Sequence, residues 1–100
     1  MADATIVPMK NPSSASRVYD GEAVIAIADK GEVHVVNEVA TRVWNLIDGN
    51  RSLGQIVALV QAALDEEGYE GVPANLTADI EGYLEDLKAR GMISIGETGA

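Results

Sequence analysis

The run from Gly31 to Gly49 changes its hydrophobic period in mid-course, and few small folds accommodate such a joint. Before Asn37 the apolar residues Val33, Val35 and Val36 are β-branched, which suits an extended chain and restricts a helix. After Asn37, Val39, Val43, Leu46 and Ile47 fall on one stripe of a 3.6-residue period, with Ala40 and Trp44 beside it. The Asn37 side chain is placed to accept a backbone N–H as an N-cap, and Asp48-Gly49 supplies the turn that ends the helix. A short strand therefore feeds directly into a short helix.

The flanking segments extend this joint in both directions. Upstream, Arg17–Asp20 and Glu22–Ala28 read as strands separated by Asp20-Gly21, and Asp29-Lys30-Gly31 makes a second turn into Glu32–Val36. Short apolar runs punctuated by glycine turns predict a three-stranded antiparallel meander. Residues 1–16, with Pro8 and Asn11-Pro12, read as a flexible arm, or as an edge strand covering part of the sheet.

Downstream, Ser52 and Gln55 form a capping box for a helix over 52–66, with Leu53, Ile56, Val57, Val60 and Leu64 on one face. Asp65-Glu66-Glu67 at its end opposes the helix dipole, and nothing local explains these carboxylates. A third helix over 73–90 has Pro73 in its first turn, or Asn75 as the cap of a later start, and an apolar stripe of Leu76, Ile80, Tyr83, Leu84 and Leu87. Met92–Ile95 is extended, and 96–100 reads as a flexible tail. The expectation is an α+β domain over 17–95, a three-stranded antiparallel sheet followed by three helices. It is winged-helix-like, because the first two helices resemble a helix-turn-helix.

Composition removes several classes of function. There is no cysteine, so neither a disulfide scaffold nor a thiolate metal site is available. Apolar runs are too short to span a bilayer and the N-terminus lacks a signal pattern, so a cytoplasmic protein without membrane association is expected. Net charge is −9, unevenly placed: −2 over 1–60 and −7 over 61–100. Binding to nucleic acid depends on Lys and Arg neutralising phosphates, which this balance opposes.

Catalytic chemistry is also missing. The single histidine, His34, lies on the same strand face as Val36 and reads as a half-buried structural imidazole. The serines have no base in a recognisable motif, and Asp79, Glu81, Glu85 and Asp86 read as solvated helix charge. No cofactor, metal or enzymatic activity is expected. What remains is an edge. If the strand Glu32–Val36 is outermost, half of its backbone N–H and C=O groups are open to an added strand. Glu32, Val33, His34, Val35 and Val36 then form one wall of a peptide groove, and Asp79, Tyr83, Asp86 and Arg90 of the third helix are the side chains expected to reach it.

The ordered set Val36–Ala40, Val43–Gly49, Arg51–Val57, Ala78–Ile80, Tyr83-Leu84, Leu87 and Arg90–Ile93 resembles the PqqD family. That family includes the peptide chaperone of pyrroloquinoline quinone biosynthesis and related precursor-peptide recognition domains. The resemblance implies binding of the leader segment of a ribosomally made precursor, which adds as a strand beside the third helix. It further implies presentation of that peptide to a modifying enzyme, either a radical SAM enzyme or a lasso-peptide leader peptidase and cyclase. Where many relatives carry aromatic residues, this chain has Val33, His34 and Val35. Two other readings compete with it. One is a winged-helix DNA-binding or regulatory domain, opposed by the charge; the other is a homodimeric adaptor whose strand edge is closed by a second copy.

Overall fold

The computed structural model describes residues 5–27, 31–68 and 75–97. In chain order these form β1 (Ile6–Lys10), β2 (Ser14–Tyr19), β3 (Glu22–Ile27), β4 (Glu32–Val36), α1 (Glu38–Leu46), α2 (Leu53–Glu66), α3 (Leu76–Ala89) and β5 (Ile93–Glu97). β2, β3 and β4 make an antiparallel sheet in that spatial order, and β1 pairs with β5 in a separate antiparallel ribbon. The fold is the expected α+β arrangement of an antiparallel sheet and three helices, with this ribbon added.

Local chemistry accounts for most of the element boundaries. Asp20 and Gly21 both have positive φ, at 51° and 81°, which is the backbone of the two-residue hairpin turn that Asp-Gly favours. A Cβ at Gly21 would meet only the flexible, exposed Glu38 side chain, so it is the positive φ that calls for glycine there. Asn37 Oδ1 accepts from the Ala40 N–H at 2.9 Å and starts α1. The capping box of α2 is complete, with the Gln55 N–H donating to Ser52 Oγ at 3.2 Å and the Ser52 N–H donating to Gln55 Oε1 at 2.9 Å. Between these helices Asp48 Oδ1 accepts the N–H groups of Asn50 and Arg51, which holds its carboxyl below the usual carboxylate range and fixes the turn.

Three sequence expectations change. Ile6–Lys10 is a strand and Ser14–Ser16 already belongs to β2, so this part of the 1–16 arm is paired structure. Asn11 anchors the corner, its N–H donating to the Met92 carbonyl and its Nδ2 to the Gly91 carbonyl, both at 2.9 Å. The third helix takes the later of its two starts: Asn75 Oδ1 accepts from the Ala78 N–H, and α3 begins at Leu76. Gly96 and Glu97 extend β5 and are not tail. The expected turn residues Asp29 and Lys30, the loop at 69–72, Pro73, and the chain ends 1–4 and 98–100 lie outside the described residues.

The core sits between the inner sheet face and the helices. Ala23, Ile25, Ile27 and Val36 point inward against Val39, Val43 and Trp44 of α1, Ile56, Val60 and Leu64 of α2, and Ile80, Leu84 and Leu87 of α3. Trp44 is its largest member and 1% exposed. Its Nε1–H donates to Ser16 Oγ at 2.9 Å, and the Lys10 ammonium lies 4.6 Å from the ring centroid. Burial lowers the pKa of Lys10, and Asp48 partly offsets this.

Thr41 is the one buried polar side chain among the described residues. Its Oγ1 accepts from the Ala23 N–H at 2.7 Å and donates to the Asn37 carbonyl at 2.8 Å, tying β3 to α1. Thr41→Val keeps the shape but strands the Ala23 N–H. A buried donor without a partner costs about 1–3 kcal/mol. The variant should therefore melt roughly 4–20 °C lower by circular dichroism.

Candidate functional site: the open edge of β4

Among the described residues β4 is an outer strand of its sheet, paired only with β3 through Val36↔Ala23, Val35↔Val24, His34↔Ile25, Val33↔Ala26 and Glu32↔Ile27. In an antiparallel ladder alternate residues direct both backbone groups toward one neighbour, so the other residues of β4 direct theirs away from β3. That edge opens onto a cleft of about 180 Å³ lined by His34, Val35, Val36, Asn37, Ala40, Tyr83, Asp86 and Leu87. β4 is one wall, α3 is the other, and the start of α1 forms the end.

The packing of α3 decides which of its side chains reach the cleft. Leu76, Ile80, Leu84 and Leu87 are buried and set the rotation of the helix on the core. Tyr83 is consequently half-buried at the edge of that stripe, and Asp86 follows one turn later on the same flank. His34 Nε2 is 3.2 Å from Asp86 Oδ2, a direct link from β4 to α3. Arg90 Nε donates to the same carboxylate, at 3.2 Å to Oδ2 and 3.3 Å to Oδ1. The rim is thus polar and internally paired, whereas Val36, Ala40, Tyr83 and Leu87 make the interior largely apolar.

Of the residues expected from sequence, His34, Val35, Val36, Tyr83 and Asp86 line this cleft. Arg90 touches it through Asp86. Glu32 is exposed at the start of β4, and Val33 and Val35 are 64% and 57% exposed on the sheet face turned from the helices. Asp79 is exposed in the first turn of α3 and does not line the cleft. Asn37, Ala40 and Leu87 do line it, although sequence marked them only as cap and core. Leu87 had a usable signal, since it lies four residues beyond Tyr83 and shares its face.

The site offers open main-chain groups beside a largely apolar slot. Among the described residues no group of His, Cys, Asp or Glu side chains is arranged to hold a metal ion, and no helix is long and apolar enough to cross a membrane.

Comparison with known proteins agrees with this architecture. No curated protein matches the chain in sequence. Among solved structures, the chain is similar to one described as TbiB1 in complex with the TbiA(beta) leader peptide. The TM-score is 0.70 at 19% identity, over 86% of this chain and 94% of that one, a likeness of fold. The family model for coenzyme PQQ synthesis protein D (PqqD) matches residues 22–93. That match runs from the start of β3 to the start of β5, spanning the sheet edge and all three helices. This chain belongs to the PqqD family.

Proposed function

We propose that this protein recognises the leader segment of a ribosomally synthesised precursor peptide by adding it as a fourth strand on β4, without itself catalysing a reaction. The observation that carries the reading is the edge of β4, unpaired among the described residues, facing the cleft of α3. An extended peptide laid there gains main-chain hydrogen bonds, and its alternate side chains enter the apolar interior against Tyr83 and Leu87. Glu32–Val36 supply the ladder, while Asp86, held by His34 and Arg90, sets the polar rim. Asp79 and Arg90 are assigned to the flanks of the bound segment. Family membership and the likeness to a fold solved with a leader peptide support the same reading. The bound peptide is then presented, in the cytoplasm, to a modifying enzyme of the radical SAM or lasso leader peptidase and cyclase type.

The test is titration with the leader of a precursor encoded beside this gene. Amide shifts should concentrate in residues 32–36 and along α3; saturable binding that perturbs neither would contradict the proposal. Aromatic side chains at the centre of an interface carry more than about 1 kcal/mol each. Tyr83→Ala should therefore weaken leader binding by at least about fivefold, with little loss of stability because Tyr83 is only half-buried. A molecular mass that rises with concentration and falls on adding peptide would instead assign the edge to a second copy of the chain.

A further inference from the structure

We propose that a second groove, between α1 and α2, docks a basic amphipathic helix of a partner protein. This groove shares no lining residue with the β4–α3 cleft. Arg42 and Asn45 of α1 line its polar side, and its floor is apolar, formed by Leu46 of α1 and by Leu59, Val60 and Ala63 of α2. Leu59 is 44% exposed, and Ala62 beside it is exposed as well. Leu59, Ala62, Ala63 and Glu66 follow the spacing of one helical face, so the apolar row runs directly into acid.

That acidic end is where the physical conflict lies. The C-terminal turn of α2 holds no basic residue, although the helix dipole places negative charge there, and Asp65, Glu66 and Glu67 add three carboxylates. Arg42 answers Glu67, its Nη1 donating to Oε2 at 2.7 Å across the groove. Asp65 receives only the neutral Gln61 amide at 3.1 Å, and Glu66 has no cationic partner among the described residues. An arrangement that costs stability within the monomer becomes favourable once a cation sits beside Asp65 and Glu66.

The occupant follows from shape and charge together. Two helices form the walls, and such a groove receives the side-chain ridge of a third helix. A second copy is a poor fit. It would bring a chain of net charge −9 against another, and its own cationic helix end, Lys88 to Arg90, is flanked by Glu85 and Asp86. The partner helix therefore carries aliphatic residues on one face, to meet Leu46 and Leu59, and Lys or Arg toward the end of α2.

The probe is a synthetic Leu/Lys peptide of about 16 residues patterned as an amphipathic helix, long enough for four turns. Its controls are the same composition in strand-like alternation and a Leu/Glu counterpart. The helical Leu/Lys peptide should shift amides of α1 and α2 and leave residues 32–36 unchanged. Leu59→Gln should weaken it by about tenfold. Glu66→Gln should weaken it by about threefold while raising the melting temperature, because removing a carboxylate from a helix C-terminus relieves the dipole conflict. A merely structural role for Glu66 would not give that opposed pair of effects. Equal affinity for the alternating peptide, no binding, shifts confined to the sheet or α3, or self-association abolished by Leu59→Gln would each overturn the proposal. Leader binding at β4 is read separately with the same variants and should be unchanged.

Discussion

Replacing Trp44 by alanine should leave the protein largely unfolded a little above room temperature. Removing a buried Trp side chain costs about 3–5 kcal/mol, and a domain of this length has roughly 5–15 kcal/mol in total. Trp44 is 1% exposed and, among the described residues, is the only large aromatic of a core otherwise built from Val, Ile, Leu, Ala and Met. It also joins three elements, since its ring carries Lys10 of β1 and its N–H holds Ser16 of β2. Neighbouring aliphatic side chains cannot fill that volume without moving β1. The melting temperature by circular dichroism should fall by roughly 15–30 °C. A variant melting within a few degrees of the parent would show that the core closes without its indole.

The second large effect concerns binding. Proline at one of two adjacent positions, Glu32 or Val33, should abolish most leader affinity without unfolding the sheet. Both side chains are exposed, so neither substitution disturbs the core. Alternation in the ladder means that one of these N–H groups faces β3 and the other faces outward. Proline at the first removes a bond to β3 and lowers stability. Proline at the second removes a donor from the open edge and sets its ring against the incoming strand. That second variant should keep its melting temperature and lose at least about tenfold in leader affinity, a difference of about 1.4 kcal/mol. If both variants bind leader like the parent, the peptide does not use this edge.

How far the sequence revealed the molecule depended on the range of the interactions involved. Asn37, the Ser52 and Gln55 box, and Asp20-Gly21 act within four residues, and each does in the structure what its chemistry requires. The apolar stripes of the helices likewise report their own burial, because periodicity is a local property. β1, open in the sequence between a flexible arm and an edge strand, was ambiguous for the opposite reason. Its partner β5 lies more than eighty residues away, and Pro8 at its centre weakens the local strand signal. Pro8 is tolerated in a two-stranded ribbon, where a strand has a neighbour on one side only.

Two features of the sites were equally remote from local pattern. Thr41 carries no mark that sets it apart from a solvated helix threonine, yet it is buried and bonded to β3 eighteen residues upstream. The approach of His34 to Asp86 depends on how α3 is rotated over the sheet, and the buried leucines of the whole helix decide that rotation. The placement of Tyr83 beside the edge of β4 followed more readily, since it flanks a stripe that could be read directly. Asp79 illustrates the limit: it precedes Tyr83 by one turn on the same flank of α3, yet does not line the cleft.

Amide hydrogen exchange across residues 32–36, measured with and without saturating leader peptide, tests strand addition most directly. The outward-facing amides of β4 should slow by at least about tenfold on binding, while those already bonded to β3 change less. Protection that appears only elsewhere, with these amides exchanging as fast as in the free protein, would contradict the account.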